Sequence, residues 1–401
     1  MKYDFTSIMD RRGRDALAVD GLGAGTAPPK PKEGFDPIPM WVADMNFPTV
    51  PTVAEAIIRR AQHPAFGYFT PADEYYDAII RWQEGRNQVK GLAKDCIGYE
   101  NGLLGGLVSA MRAIASQGDG VLVHSPTYIG FTSVLKRNGY NIVSSPLVQD
   151  GQGVWRMDYV DMEEKLKEHR IHAAIFCSPH NPCGRVWERW ELERAMELYQ
   201  KYDVFVISDE IWSDIIRPGY RHIPTQSVSQ DARERTVALY APSKTFNLAG
   251  LIGGYHIIYN QWLRDRVDRE GALSHYNDMN VLSMHGLIGA YQPEGHQWVD
   301  ELCQTIAGNV DFAVDHINTH YQGLSVFKPE GTYMLFVDCS GWCQARGQAI
   351  GQVLQAGWDV GVAWQDGRPF HGPCHIRMNL ALPLARVQEA FERLDKHVFQ
   401  G

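Results

Sequence analysis

A chain of 401 residues with 44% hydrophobic and 21% charged residues is long enough for two or three domains and too mixed for a disordered, collagenous or fibrous protein. Its 38 basic and 47 acidic residues leave a formal charge of −9, so no basic field is expected to hold nucleic acid or an anionic membrane surface. Seven cysteines are too few, and odd in number, for a disulfide framework, and read as reduced thiols of a cytoplasmic compartment. The opening MKYDFTSIMDRRGRD places acids and arginines where a signal peptide needs an apolar stretch. No apolar run approaches the ~20 residues that cross a bilayer.

The first fifty residues read as an arm lying on other structure. GLGAG at 21–25 is followed by TAPPKPK, and IPMWVADMNFP is apolar but irregular. The G-x-G-x-G is not a dinucleotide loop: no strand precedes it, the fingerprint is incomplete, and prolines follow where a helix would begin. From about residue 50 the pattern alternates. Helical spacing over 51–62 and 72–87 leads to an apolar helix over 102–116, a short strand at 121–124 and a helix over 128–137. A buried strand over 172–178 (HAAIFCS), a helix over 188–201, and strands over 204–208 (VFVIS), 236–240 (TVALY) and 255–259 follow. Continuous Val/Ile/Phe runs separated by helices predict an α/β fold whose mainly parallel sheet is covered on both faces. A long helix over 298–320, strands over 333–337 and 375–379, and helices near 347–356 and 384–399 predict a smaller α+β part. The expected division is an arm with part of the small domain (1–48), a large domain (49–290) and a small C-terminal domain (291–401).

The chemistry gathers at strand ends, where the active site of such a sheet is expected. Lys244 follows the strand TVALY within APSKTFNLAG. Burial there should lower its pKa and make the amine nucleophilic. Asp209 ends the apolar run VFVIS within SDE, and a carboxylate in that position needs a cationic or hydrogen-bonded partner. Asn181 lies in SPHNPCG after a third strand, where a cis bond before Pro179 or Pro182 is possible. Cys177, His180 and Cys183 do not match a known metal-ligand spacing, so no metal is expected.

The set SPHNPCGRVW, SDE and APSKTFNLAG resembles the fold-type I pyridoxal-phosphate enzymes of the class I/II aminotransferase superfamily. More closely, it is similar to the MalY/PatB group of carbon–sulfur β-lyases. YDFTSIMDRRG, WVADM, FGY, SPTYIGF, EGTY and RMNLALP extend the resemblance over nearly the whole chain. It implies an aminotransferase-like three-layer sandwich, pyridoxal 5′-phosphate as cofactor, and a homodimer. By the same resemblance Lys244 carries the cofactor covalently and Asp209 pairs with its pyridinium nitrogen. Asn181 would hydrogen-bond the ring 3′-oxygen and Tyr128 would stack on the ring. The amides of Leu103 and Leu104 would bind the phosphate at a helix N-terminus, helped by the Ser243 hydroxyl. Tyr68 would reach the phosphate of the neighbouring subunit, and Arg377 would clamp the substrate α-carboxylate. Read without the resemblance, Tyr128 is also compatible with core packing, Ser243 with a turn, and Arg377 with an exposed strand face.

Several positions depart from the group. Trp212 stands three after Asp209, where histidine or tyrosine is usual. The arm usually reads Gly-Thr-x-Ser-x-Lys-Trp-Asp, whereas Gly13-Arg-Asp-Ala-Leu-Ala-Val-Asp20 stands here, and Asn46 replaces a common acid. Ile129 follows Tyr128 where some β-lyases carry a second tyrosine. The implied reaction is β-elimination from L-cystathionine or a related S-substituted L-cysteine, giving pyruvate, ammonia and a thiol. The alternative is amino transfer from an L-amino acid to a 2-oxo acid.

Overall fold

A computed structural model describes residues 1–273 and 276–400. Its centre is an eight-stranded sheet in the order Ile97–Glu100, Gly254–Ile257, Thr236–Tyr240, Phe205–Asp209, Ala173–Cys177, Gly120–Ser125, Asn141–Gln149, Trp155–Met157. The five strands from Thr236–Tyr240 to Asn141–Gln149 are paired in parallel. Gly254–Ile257 runs against its neighbours, as does Trp155–Met157.

The apolar runs of the central strands follow from two-sided burial. Side chains alternate between faces, so Ala174, Phe176 and Val206 join one cluster, packed with Leu192, Met196 and Tyr199 of the helix Arg189–Lys201. Ala173, Ile175, Ile207, Val237 and Leu239 join another, packed with Leu107, Ala110 and Met111 of the helix Leu103–Ile114. This is the three-layer arrangement expected from the sequence.

The second sheet, Ser325–Val326, Met334–Asp338, His375–Asn379 and Gln365–Asp366, is antiparallel throughout. Its register sets Phe336 and Gln365 on either side of Arg377. The arm joins this part through a short parallel pairing of Ile38–Pro39 with Val362–Ala363. Phe5 anchors its start between Phe47 and Trp298, with ring centroids 5.2 and 5.4 Å away. Residues 40–46 then form a strap whose Ala43 carbonyl accepts from Lys244 and whose Trp41 carbonyl accepts from Arg377.

The structure adds elements whose sequence patterns are weak. Val281–Ala290 buries seven of its ten residues, so it has no polar face to reveal its period. Asn141–Gln149 is a half-buried strand, and Tyr159–Glu168 is a helix capped by the Asp158 side chain. Where one helix is expected near 347–356 there are two, Ser340–Arg346 and Ile350–Asp359. Gly347, at φ 62°, ends the first in the left-handed region that glycine adopts readily. The bonds before Pro126, Pro179 and Pro182 are cis.

Gly184 joins the two sheets. Its carbonyl accepts from Glu330 and Gly331 N–H at 2.8 and 3.0 Å. At φ 71°, an added Cβ would stand 2.4 Å from the Pro329 side chain. Gly184→Ala is expected to destabilise the fold by more than about 2 kcal/mol, measured as a lower denaturant midpoint; an unchanged midpoint would contradict this packing.

Candidate active site

Strand register brings the expected groups together. Cys177 pairs with Asp209, and Asp209 with Leu239, so three adjacent strands end at one level. The turn carrying Asn181 leaves the first, Asp209 closes the second, and Pro242–Thr245 raises Lys244 just beyond the third. Around them is a cavity of about 200 Å³ lined by Leu103, Leu104, Tyr128, Asn181, Asp209, Trp212, Ser243 and Lys244, with Ala43 of the strap.

Asp209 is buried. One of its oxygens, Oδ1, accepts from the Ile211 N–H at 3.1 Å. Burial pushes its carboxyl up to about 6, against the lowering effects of that N–H and of Lys244. Among the described residues no cation stands within ion-pair distance of it, and Lys244 acts on it only from further away. Burial lowers the Lys244 amine to about 8, helped by the nearby Arg377 charge and opposed by Asp44 and Asp209. Its Nζ donates to the Ala43 carbonyl at 2.8 Å and lies 5.9 Å from the Trp212 ring centroid.

Arg377 is only 3% exposed, which removes the reading of an exposed strand face. Its guanidinium donates to the Trp41 carbonyl at 3.0 Å, to Asn181 Oδ1 at 3.3 Å and to Gln365 Oε1, and it lies over the Phe370 ring. Nε is buried without a partner. Among the described residues no carboxylate pairs with it, although a buried guanidinium gains most from a bidentate carboxylate. Burial lowers its pKa to about 10, so the cation persists at neutral pH.

The helix Leu103–Ile114 begins after Gly102 at φ 89°. The amides of Leu103 and Leu104 belong to its first turn and have no carbonyl one turn earlier to bond. Glu100, fully buried beneath this turn, accepts from His256, Tyr276 and Asn277 at 2.7, 2.9 and 3.0 Å. Asn277 in turn accepts from the Asn101 N–H at 2.7 Å, which fixes the entry to the helix. Tyr128 caps the next helix and reaches the cavity. Tyr68 is fully exposed and does not line this cavity.

The arm is expected near the substrate pocket, but the bonds that hold its strap there are not readable from the sequence. Asn379 Nδ2 donates to the Val42 and Asp44 carbonyls at 2.7 and 2.6 Å, and Asn247 bonds both backbone groups of Met45 at 2.9 Å. Both asparagines lie inside quoted motifs, in RMNLALP and TFNLAG. Gln365 carried no signal as a lone glutamine, and Ala43, although inside WVADM, acts through a backbone carbonyl that its identity does not reveal. Trp212, a departure from the group that is also expected with Tyr333 and the arm to line the substrate pocket, lines the cavity and packs edge-on against Tyr333 with centroids 4.7 Å apart. No grouping of three metal-ligating side chains occurs among the described residues, and none of their helices is long and apolar enough to cross a membrane.

A mainly parallel sheet with a half-buried lysine and a buried aspartate at its carboxyl edge, and a buried arginine of the second sheet bonded to the Asn181 turn, defines a class, and residues 37–394 match the family described as aminotransferase class I and II. The chain belongs to that family. It is 32% identical over 362 residues to the cystathionine beta-lyase PatB of Bacillus subtilis, covering 90% of this chain and 92% of that protein. Among solved structures, a PLP-bound putative aminotransferase from Clostridium difficile 630 superposes with a TM-score of 0.90 at 31% identity over the whole of both chains. Cystalysin from Treponema denticola, whose crystals contain pyridoxal 5′-phosphate, gives 0.90 at 28% identity, covering 99% of this chain and 98% of that one.

An amine held near pH 8 reacts earlier on a pH scale than an ordinary lysine. In the cofactor-free protein, reductive methylation of Lys244 is expected to rise with a midpoint near pH 8, as its neutral fraction grows. Lys201, whose pKa is raised by Glu163, serves as the internal control and should respond only at higher pH. Peptide mass mapping reads both, and coincident profiles would contradict the burial effect.

Proposed function

We propose that this protein is a pyridoxal-phosphate-dependent carbon–sulfur β-lyase acting on S-substituted L-cysteines, cystathionine among them. The observation that carries the cofactor is the pattern of unmet charge: a buried Asp209 carboxyl without an ion-pair partner among the described residues, and the first-turn amides of Leu103 and Leu104 at the cavity wall. A pyridinium and a phosphate match these groups in sign and position along the cavity, so the residues present fit the cofactor. Similarity to PatB supports the elimination reaction.

In this reading Lys244 holds the cofactor covalently, Asp209 keeps its ring nitrogen protonated, and Asn181 donates to the ring oxygen. Tyr128 covers the ring face, while Leu103, Leu104 and Ser243 hold the phosphate. When bound, pyridoxal phosphate supplies an electrophilic carbon for the substrate amine and an electron sink for the bond broken at Cα. Arg377 then orients the substrate through its α-carboxylate, with Nε and the fork completed by the two carboxylate oxygens. Lys244 Nζ would take the Cα proton, a role for which a pKa lowered by burial is suited. Summed over the cycle, R–S–CH2–CH(NH3+)–COO− and water give R–SH, pyruvate and ammonium. Departure of the β-sulfur as a thiol consumes the proton that Lys244 took.

We further propose a homodimer in the cytoplasm, in which Tyr68 reaches the partner's phosphate site. Its complete exposure in the single chain supports this.

The test is product analysis. With an S-substituted cysteine and no added 2-oxo acid, the holoenzyme is expected to release pyruvate and thiol in equal amounts over many turnovers. Dependence on an added 2-oxo acid, with a new amino acid formed, would identify an aminotransferase instead. Lys244→Ala should lose both turnover and the absorbance of the lysine-bound cofactor. Arg377→Lys, which keeps a cation but loses the planar fork, should weaken substrate capture by about 10- to 100-fold in kcat/KM, while leaving cofactor absorbance intact.

A further inference from the structure

The strap carries one ionisable side chain, Asp44, directly after the Ala43 carbonyl that accepts from Lys244. A carboxylate that closed on the Lys244 amine would hold it as ammonium. Asp44 is taken by the arm instead. Arg11 Nη2 donates to its Oδ2 at 2.7 Å and Nη1 to its Oδ1 at 3.3 Å. The same Nη1 reaches the Met45 carbonyl at 3.1 Å and Asn46 Oδ1 at 3.2 Å, so one guanidinium bonds three consecutive residues of the strap. Both side chains of the pair are only 15% exposed, which spares it much of the screening that weakens an open surface pair.

The strap backbone is fixed on both sides of the Asp44 side chain. Its own carbonyl accepts from Asn379 at 2.6 Å, and Asn247 bonds both backbone groups of Met45 at 2.9 Å. The carboxylate is therefore free to change partner by rotating about its own side-chain bonds while the strap stays in place. Arg11 sets which way it turns.

Three charged groups act on Lys244 from three elements: Arg377 from the second sheet, Asp44 from the strap and Asp209 from the adjoining strand. Burial and Arg377 favour the neutral amine, whereas Asp44, more strongly than Asp209, favours the ammonium. Around Asp44 itself stand Arg11 and the buried Tyr333 phenol. We propose that Arg11 is a positioning residue for Lys244: by holding the Asp44 carboxylate to the arm, it keeps the strap's one acid from pairing with the amine and leaves that amine free as nucleophile and base. This rests on the reading of Lys244 as the lysine that bears the cofactor and moves the proton. A purely structural contact predicts something else. Removing either partner would then loosen the strap, admit water to the amine and raise its pKa in both variants.

The test follows the proton on the Lys244 nitrogen. The holoenzyme is titrated with pH, and the midpoint is read from the absorbance of the lysine-bound cofactor. Arg11→Gln is expected to shift that midpoint upward by about half a pH unit or more, because the released carboxylate turns to Lys244. Asp44→Asn is expected to shift it downward, and the double variant should follow Asp44→Asn. Reductive methylation of Lys244 in the full-length chain freed of cofactor should rank the midpoints in the same order. Circular dichroism verifies folding, and if Arg11→Gln does not fold, the sign of the Asp44→Asn shift decides alone. An unchanged or lower midpoint in Arg11→Gln, or a midpoint in Asp44→Asn at or above wild type, would overturn the proposal. Neither readout depends on which product forms, so an aminotransferase result would leave this test standing. Absence of any lysine-bound cofactor would refute the reading of Lys244 instead, and the methylation midpoints would still decide the role of Arg11.

Discussion

Lys244 is a half-buried and Arg377 a buried cation, and in the chain alone both donate to backbone carbonyls of the same strap, Ala43 and Trp41. Carbonyl oxygens satisfy hydrogen bonds but do not neutralise charge, so each cation stays short of the partner that burial calls for. The shortage is what makes the site reactive. It holds the lysine near neutrality and leaves the arginine fork open for a carboxylate. A strap built from side-chain carboxylates would have quenched both.

The rest of the molecule keeps these charges where they are. Parallel register places Asp209 between the turn of Asn181 and the turn of Lys244, and packing on both faces denies the edge any freedom to slip. The antiparallel sheet sets Arg377 between Phe336 and Gln365. Asn379 and Asn247 pin the strap from two directions. Gly184 lets the Asn181 turn approach the backbone of Glu330 and Gly331 closely enough to bond it. The site is therefore a seam between two sheets and an arm, and its geometry depends on contacts some 200 to 340 residues apart in sequence.

Much of this is legible in the sequence. The strands Ala173–Cys177, Phe205–Asp209 and Thr236–Tyr240 announce themselves because burial on both faces demands unbroken apolar runs. The same runs expose their functional ends, since Asp209 and Lys244 are ionisable groups placed directly after segments that exclude charge. Family resemblance supplied the roles that spacing could not. What stayed hidden has physical reasons. Val281–Ala290 lacks a polar face, and the helix pair around Gly347 turns on one left-handed residue. Ala43 and Trp41 act through backbone groups that every residue possesses.

The most direct measurement of the central claim is chemical. The holoenzyme is reduced with borohydride, digested, and searched by mass spectrometry for the lysine that carries the cofactor. The account predicts modification at Lys244 alone, with the label lost when Asp209→Ala or Lys244→Ala is introduced. Modification at any other lysine, or full labelling in Asp209→Ala, would contradict a site built on buried, unpaired charge at the sheet edge.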